Sequence, residues 1–287
     1  MKSFSIVIPV FNIEFENNTE YFRVLISSIS RNCRNITVKD KLNEIVIVDD
    51  NGDSNLKEAF DVIFTQENLR EKLIYIQNAK NEGQAQSRNI GCTFASGEYI
   101  HFIDQDDYIS DDFYSLIINH LDDIVIGRPH LYLDRLGYEI PYTKATYRKK
   151  LKQTEKLRKL WVLLISNFAV SPGQYLIKRS VFNLADGFPV LKSRGSDDYG
   201  LLFKLAAKNV NMRYIDNAAF FYRIHSAQNR NNSQLKNSVI EFFNGRSFNN
   251  LSLSLLIVKF IRYRTILWKI VSKIVFWYYF ENFKSKI

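Results

Sequence analysis

A chain of 287 residues that is 46% hydrophobic and 24% charged, with only 11 Gly and 5 Pro, can bury a sizeable core and is not a disordered or low-complexity polymer. Two cysteines, Cys33 and Cys92, exclude a disulfide scaffold and lack the CxxC spacing of a redox pair or zinc site, so both are expected to be buried, reduced thiols. The formal charge of +9 is localised: residues 144–159 hold eight Lys or Arg against Glu155, residues 251–287 hold seven against Glu281, and the mildly acidic remainder argues against nucleic acid as a partner.

Four apolar, β-branched runs at 4–10, 44–48, 72–77 and 98–103 alternate with helix-like stretches, the pattern of βα units on a parallel sheet. Residues 123–126 are a fifth expected strand. Continuous runs such as SIVIPV and EIVIV suit strands covered on both faces, so the sheet is expected to be central and flanked by helices. From 127 to 150 the pattern breaks into Pro, Gly and Tyr; a basic helical segment then leads to Trp161 and a strand at 173–178. Leu201, Leu202, Leu205 and Ala206 recur at helical spacing and predict a helix over 197–207. A strand follows at 219–225, and the polar SAQNRNNSQ reads as a loop or lid.

The apolar run Ile6 to Val10 lacks the longer apolar region and cleavage site of a signal peptide, so cytoplasmic residence is expected. At the other end, Lys259, Arg262, Lys269 and Lys273 interrupt the aromatic tail before about 20 apolar residues accumulate, too few for a span. On a helix these four charges share an arc of roughly 80°, with Arg264 the exception, so the tail resembles a basic amphipathic helix or helix pair. It suits a membrane-surface anchor with Trp268, Trp277, Tyr278 and Tyr279 at the interface, or a terminal helix packed on the core.

The chemistry sits at strand ends. Asp104 and Asp106 follow YIHFI as a DxD pair that can hold a divalent cation, at the carboxyl end of a strand, where open α/β sheets bind ligands. Asp49 and Asp50 stand in the same relation to EIVIV, where capping of the following helix is the alternative role. Pro9 to Asn12 close the first strand. Arg88, on a helix before the DxD strand, can pair with phosphate or with a carboxylate.

In this order the pieces resemble family 2 glycosyltransferases of the GT-A fold. SIVIPVFN looks like that family's opening strand, IVIVDDNGDSN its second, NEGQAQSRNIG its N-x-G-x-x-x-x-R-N-x-G segment and GEYIHFIDQDD its DxD strand; DDYGLLFKLA resembles its E-D helix and YRIHSAQNRNNS its Y-R-x-H segment. The resemblance covers roughly Phe4 to Ser233 and implies an α/β, Rossmann-like, mostly parallel sheet in a domain over 1–235, divided into a nucleotide-binding half (1–127) and an acceptor-binding half (128–235); the basic, aromatic helical tail over 236–287 lies outside it. It implies a UDP-sugar donor held by Pro9, Phe11, Asn12, Asp50, Arg88, Asp104 and Gln105, and a cation, Mn²⁺ or Mg²⁺, at Asp104, Asp106 and His225. Asp198 takes the place of the catalytic base, with Asp197 replacing the usual Glu beside it. The implied activity is inverting transfer to a saccharide acceptor, lipid-linked, in surface polysaccharide assembly at the inner face of the membrane. A nicotinamide-dependent oxidoreductase is disfavoured because no GxGxxG follows the first strand. A non-catalytic sugar-nucleotide-binding relative is distinguished by whether Asp106 and Asp198 are functional.

Overall fold

The computed structural model describes residues 2–14, 17–52, 56–120, 122–134, 137–141, 170–193, 195–208, 210–225, 237–238 and 241–242. The basic segment 144–159, the polar stretch after His225 and the tail 251–287 lie outside these residues. Internal contacts divide the chain into one unit of residues 1–190 with 195–231 and a second of 191–194 with 232–287. All that follows concerns the first.

Strand β1 (Phe4–Val10) is buried at every position, as its unbroken apolar run requires. Helix α1 (Asn18–Asn32) turns Phe22, Leu25, Ile26 and Ile29 inward at helical spacing, and α2 (Ile36–Lys41) is capped by the Asn35 side chain. Strand β2 (Leu42–Asp49), helix α3 (Lys57–Gln66) and strand β3 (Leu73–Gln77) complete the first βα repeats. Helix α4 (Gln84–Phe94) leads into β4 (Tyr99–Phe102). Two glycines shape this passage. Gly83 precedes α4 at φ +85°, and a Cβ on Gly91 would lie 2.4 Å from Val7 Cγ1, so only glycine lets the helix sit this close to β1.

After β4 come the short β5 (Tyr108–Ile109), α5 (Phe113–Ile117), β6 (Ile124–Leu133) and β7 (Tyr138–Pro141). Strand β8 (Tyr175–Lys178), α6 (Arg179–Leu184), α7 (Asp197–Ala207) and β9 (Met212–Ile224) end the series. The sheet order is β3-β2-β1-β4-β8-β6-β9-β5, with β7 on β6. Among β1 to β4 all pairings are parallel; β8 runs antiparallel to β4 and β6, while β9 is parallel to β6.

The second half departs from its sequence pattern in an instructive way. Gly127 and Pro129 read as breakers, yet β6 runs on to Leu133, and β9 begins at Met212 rather than 219. The reconciliation is a bulge: Gly127 pairs with Ile215 and Arg128 with Ala219, so residues 216–218 are looped out of β9. Both cysteines are buried and free.

This topology concentrates chemistry at one edge. Strands β1, β2 and β4 all end there, and β8, running the other way, begins there at Tyr175 opposite Ile126. The β6/β9 ribbon continues beyond that level to the pair Leu133 and Ile224. Strand β5, pairing Tyr108 with Phe221, ties it back to the loop that follows β4.

Candidate active site

The end of β1 is joined to the loop after β4 by an amide clasp. Gln105 Oε1 accepts from the Phe11 N–H at 2.8 Å, and Gln105 Nε2 donates to the Phe11 carbonyl at 2.9 Å. The Phe11 ring remains 42% exposed, whereas Pro9 lies buried within the sheet. Asn12 adopts φ +50° and donates its N–H to Asn51 Oδ1 at 2.7 Å.

Asp49 and Asp50 are both buried. Asp49 accepts from the Tyr75 hydroxyl at 2.6 Å and from the Asn51 amide group at 2.6 Å. Asp50 accepts from Asn78 Nδ2 and the Glu82 N–H at 2.8 Å each, and from the Gly83 N–H at 2.9 Å. The carboxylate therefore fixes the turn that begins α4, rather than the start of the helix that follows β2.

Arg88 takes the carboxylates of the two partners open to it. Nη1 donates to Asp197 Oδ2 at 2.6 Å and Nη2 to Asp104 Oδ1, with the guanidinium stacked on Phe188 at 5.1 Å. The residue is 2% exposed. Burial works against its charge, but Asp104 and Asp197 outweigh it and hold the guanidinium above its usual pKa. Phe188 is fixed by Asn89, whose side chain both donates to and accepts from its backbone at 2.9 Å. The buried Lys204 holds the preceding carbonyls of Asp186 and Gly187.

Asp104, also bound by Gln84 Nε2 at 2.8 Å, is turned towards α4. Burial raises its pKa and Arg88 opposes the rise. Asp106 instead meets His225, with Oδ2 at 2.8 Å from Nε2, although the two lie 119 residues apart in sequence. The structure thus brings two of the three expected metal ligands together and directs Asp104 elsewhere. Among the described residues no group of three or more His, Cys, Asp or Glu side chains forms a cation site. A carboxylate oxygen and an imidazole nitrogen fit a divalent cation of the Mn²⁺ type that completes its shell with substrate phosphate oxygens.

Asp198 shares the first turn of α7 with Asp197, and its Oδ1 accepts the Tyr199 N–H at 2.6 Å. Burial first, and the neighbouring Asp197 second, push its pKa up to about 7. A carboxylate with that pKa is poised to take a proton near neutrality.

The sequence marks Arg223 only by its place in Y-R-x-H. Its Nε donates to the Asp106 carbonyl at 2.9 Å, its Nη1 to Asp134 at 3.0 Å and its backbone N–H to Asp107 at 3.0 Å. The guanidinium lies 4.4, 4.9 and 5.4 Å from the rings of Tyr21, Tyr132 and Tyr108. Tyr21 also packs on the His225 ring at 5.0 Å. One cation therefore holds the Asp106 loop against β9, the strand that His225 directly follows. Asp107 is buried beside it, its carboxyl pushed well above the usual range by burial and then by Asp106 and Asp104.

A mixed α/β sheet with carboxylates gathered at the ends of its parallel strands is the architecture expected from the sequence motifs. The chain belongs to the family described as Glycosyl transferase family 2, whose pattern matches residues 5–182. It is 26% identical over 235 residues to the glycosyltransferase GlyA of Streptococcus pneumoniae serotype 4, covering 77% of this chain and 30% of that protein. It is 32% identical over 133 residues to the poly(ribitol-phosphate) beta-N-acetylglucosaminyltransferase TarP of Staphylococcus aureus, covering 45% of this chain and 37% of TarP. The structure of S. aureus TarS 1-349 in complex with UDP-GlcNAc superposes with a TM-score of 0.58 at 21% identity, over 79% of this chain and 60% of that one. The chain thus spans only part of these relatives, and the likeness to TarS is one of fold.

Proposed function

We propose that this protein is an inverting glycosyltransferase that moves a sugar from a UDP-sugar to a hydroxyl of a saccharide acceptor. The observation that carries the reading is the pair of carboxylate arms at one sheet edge. Asp106 meets His225 on one side, Asp198 stands at the start of α7 on the other, and Asp104–Arg88–Asp197 ties the two sides together. The family membership and the names of TarP and GlyA support the same class.

In this reading the exposed Phe11 ring faces the nucleotide base, and Asp50, Asn12 and Gln105 hold the walls around it. Asp106 and His225 would hold Mn²⁺ or Mg²⁺, which when bound neutralises charge on the departing diphosphate. Asp198 receives the acceptor's hydroxyl proton while the oxygen forms its bond to the anomeric carbon and the bond from that carbon to the diphosphate oxygen breaks. Attack opposite the leaving group inverts the anomeric centre. Arg88, buried between Asp104 and Asp197, sets the spacing of donor loop and base without needing to touch phosphate.

The acceptor we propose is lipid-linked and destined for a surface polysaccharide, with the basic, aromatic residues 251–287 resting on the inner face of the cell membrane. Among the described residues no helix is long and apolar enough to cross a membrane. Two measurements test the proposal. Nuclear magnetic resonance of the product should show the opposite anomeric configuration to the donor, and retention would overturn single displacement. Deleting residues 251–287 should reduce sedimentation with anionic liposomes; undiminished binding by the folded truncated protein removes the membrane role.

A further inference from the structure

We propose that Ser196 is a positioning residue for Asp198: the two side chains compete for one backbone N–H at the start of α7, and when the serine takes it the carboxylate gives up that one bond and receives the acceptor proton more readily. The inference rests on the reading of Asp198 as the base.

Ser196 is the cap of α7, because its carbonyl accepts the Gly200 N–H at 2.8 Å, the first bond of the helix. Tyr199 is then the third helical residue. Its N–H has no partner within the helix and is one that a capping serine ordinarily takes. Here Asp198 Oδ1 takes it instead, at 2.6 Å. Ser196 is 0% exposed, and among the described residues its Oγ finds no hydrogen-bond partner. The cap position thus offers two acceptors for one donor, and Ser196, the residue at the cap, is the one whose oxygen is left unpaired.

A buried hydroxyl without a partner is unfavourable, so what the serine gains on exchange offsets part of what the carboxylate gives up. The carboxylate, losing an N–H that favours its ionised form, becomes the stronger base. Among the described residues, the groups that face it include Asp197 on its own helix, Arg88 from α4, Asp104 from the end of β4 and Tyr175 from β8. Tyr175 supplies an independent sign that this floor is set for rearrangement. Its hydroxyl is fully buried, has no hydrogen-bond partner among the described residues, and feels Asp198 before any other charged group. Burial holds that phenol well above its usual pKa, so it stays neutral beside the carboxylate.

The experiment compares Ser196→Ala and Ser196→Gly with wild type in the full chain. UDP release is followed from UDP-GlcNAc or UDP-glucose, whichever the wild type turns over faster. Glycine at a helix cap preserves most of the stability that alanine loses, yet neither can accept the Tyr199 N–H. Both variants should therefore lose kcat on the order of tenfold with the donor KM unchanged, and their acid limb of kcat should lie at lower pH than in wild type. A merely structural serine gives a different result: the alanine variant is impaired, the glycine variant is not, and neither limb moves. That outcome overturns the proposal. Asp198→Asn separates the two readings. If it abolishes release while both Ser196 variants keep wild-type kcat, only the exchange is wrong; if Asp198→Asn itself keeps wild-type release, the base assignment has failed.

Discussion

Asp198→Asn should remove transfer and at the same time stabilise the fold, because the same environment that suits the carboxyl to proton transfer makes its ionised form costly. Burial and then Asp197 raise its pKa to about 7, against about 3.9 for an unperturbed aspartate. Between those two values the folded protein keeps its proton while the unfolded chain has lost it. Stability from this group is therefore fully present below about pH 4 and is lost as pH rises through about 7. Three units of pH correspond to roughly 4 kcal/mol, and partial solvent access to the first turn of α7 reduces this to about 2–4 kcal/mol. Asparagine imitates the protonated acid and does not titrate. Urea unfolding at about pH 5 and about pH 8 should thus show wild type losing stability across the interval while the variant stays level, and the variant should be the more stable at the upper end. Transfer in the variant should fall by a factor on the order of 10² to 10⁴. Parallel stability curves for the two proteins, with transfer within about tenfold of wild type, would refute both the raised pKa and the role built on it.

Three further outcomes follow from the geometry. EDTA should abolish UDP release and Mn²⁺ or Mg²⁺ restore it, with His225→Ala raising the Mn²⁺ concentration for half-maximal rescue by about tenfold or more; full turnover in chelator contradicts the cation site. Arg223→Lys keeps the charge but loses the planar fork between Tyr21, Tyr108 and Tyr132, so it should weaken Mn²⁺ rescue about 10- to 100-fold, and unaltered rescue shows that the Asp106 loop needs no such clamp. Gly91→Ala would place a Cβ 2.4 Å from Val7 Cγ1, and should lower stability by about 1–3 kcal/mol in urea unfolding, a loss that should be absent if α4 can lift from β1 without cost.

What the sequence disclosed followed from how local each signal was. Strand β1 coincides with its expected span because seven successive buried residues need no tertiary partner to be recognised, and α7 coincides because Leu201, Leu202 and Leu205 mark one buried face. The β6/β9 ribbon did not disclose itself. Gly127, Pro129, Asp216 and Asn217 each signal a turn in isolation, and only their opposition across a bulge makes them part of two long strands. The candidate site divides along the same line. Asp104, Asp106, Asp197 and Asp198 stand at strand or helix ends that the apolar runs locate, so their neighbourhood was legible before their partners were. The partners were not. Arg88 could be assigned to phosphate or to a carboxylate, and only the fold brings Asp197, 109 residues away, to its second nitrogen. Arg223 is the extreme case: its three ring neighbours come from α1, β5 and β6, and its hydrogen bonds reach a backbone carbonyl and Asp134. No spacing rule along the chain encodes such a contact set, because it is created by the ribbon curling back over the DxD loop. Residues that perform a reaction step must carry particular chemical groups and so leave a motif, whereas residues that hold those groups in place can come from any element the fold makes adjacent. Arg223 and Ser196 belong to the second kind, and substitutions at these two positions measure how much of the proposed catalysis depends on support that motifs leave unseen.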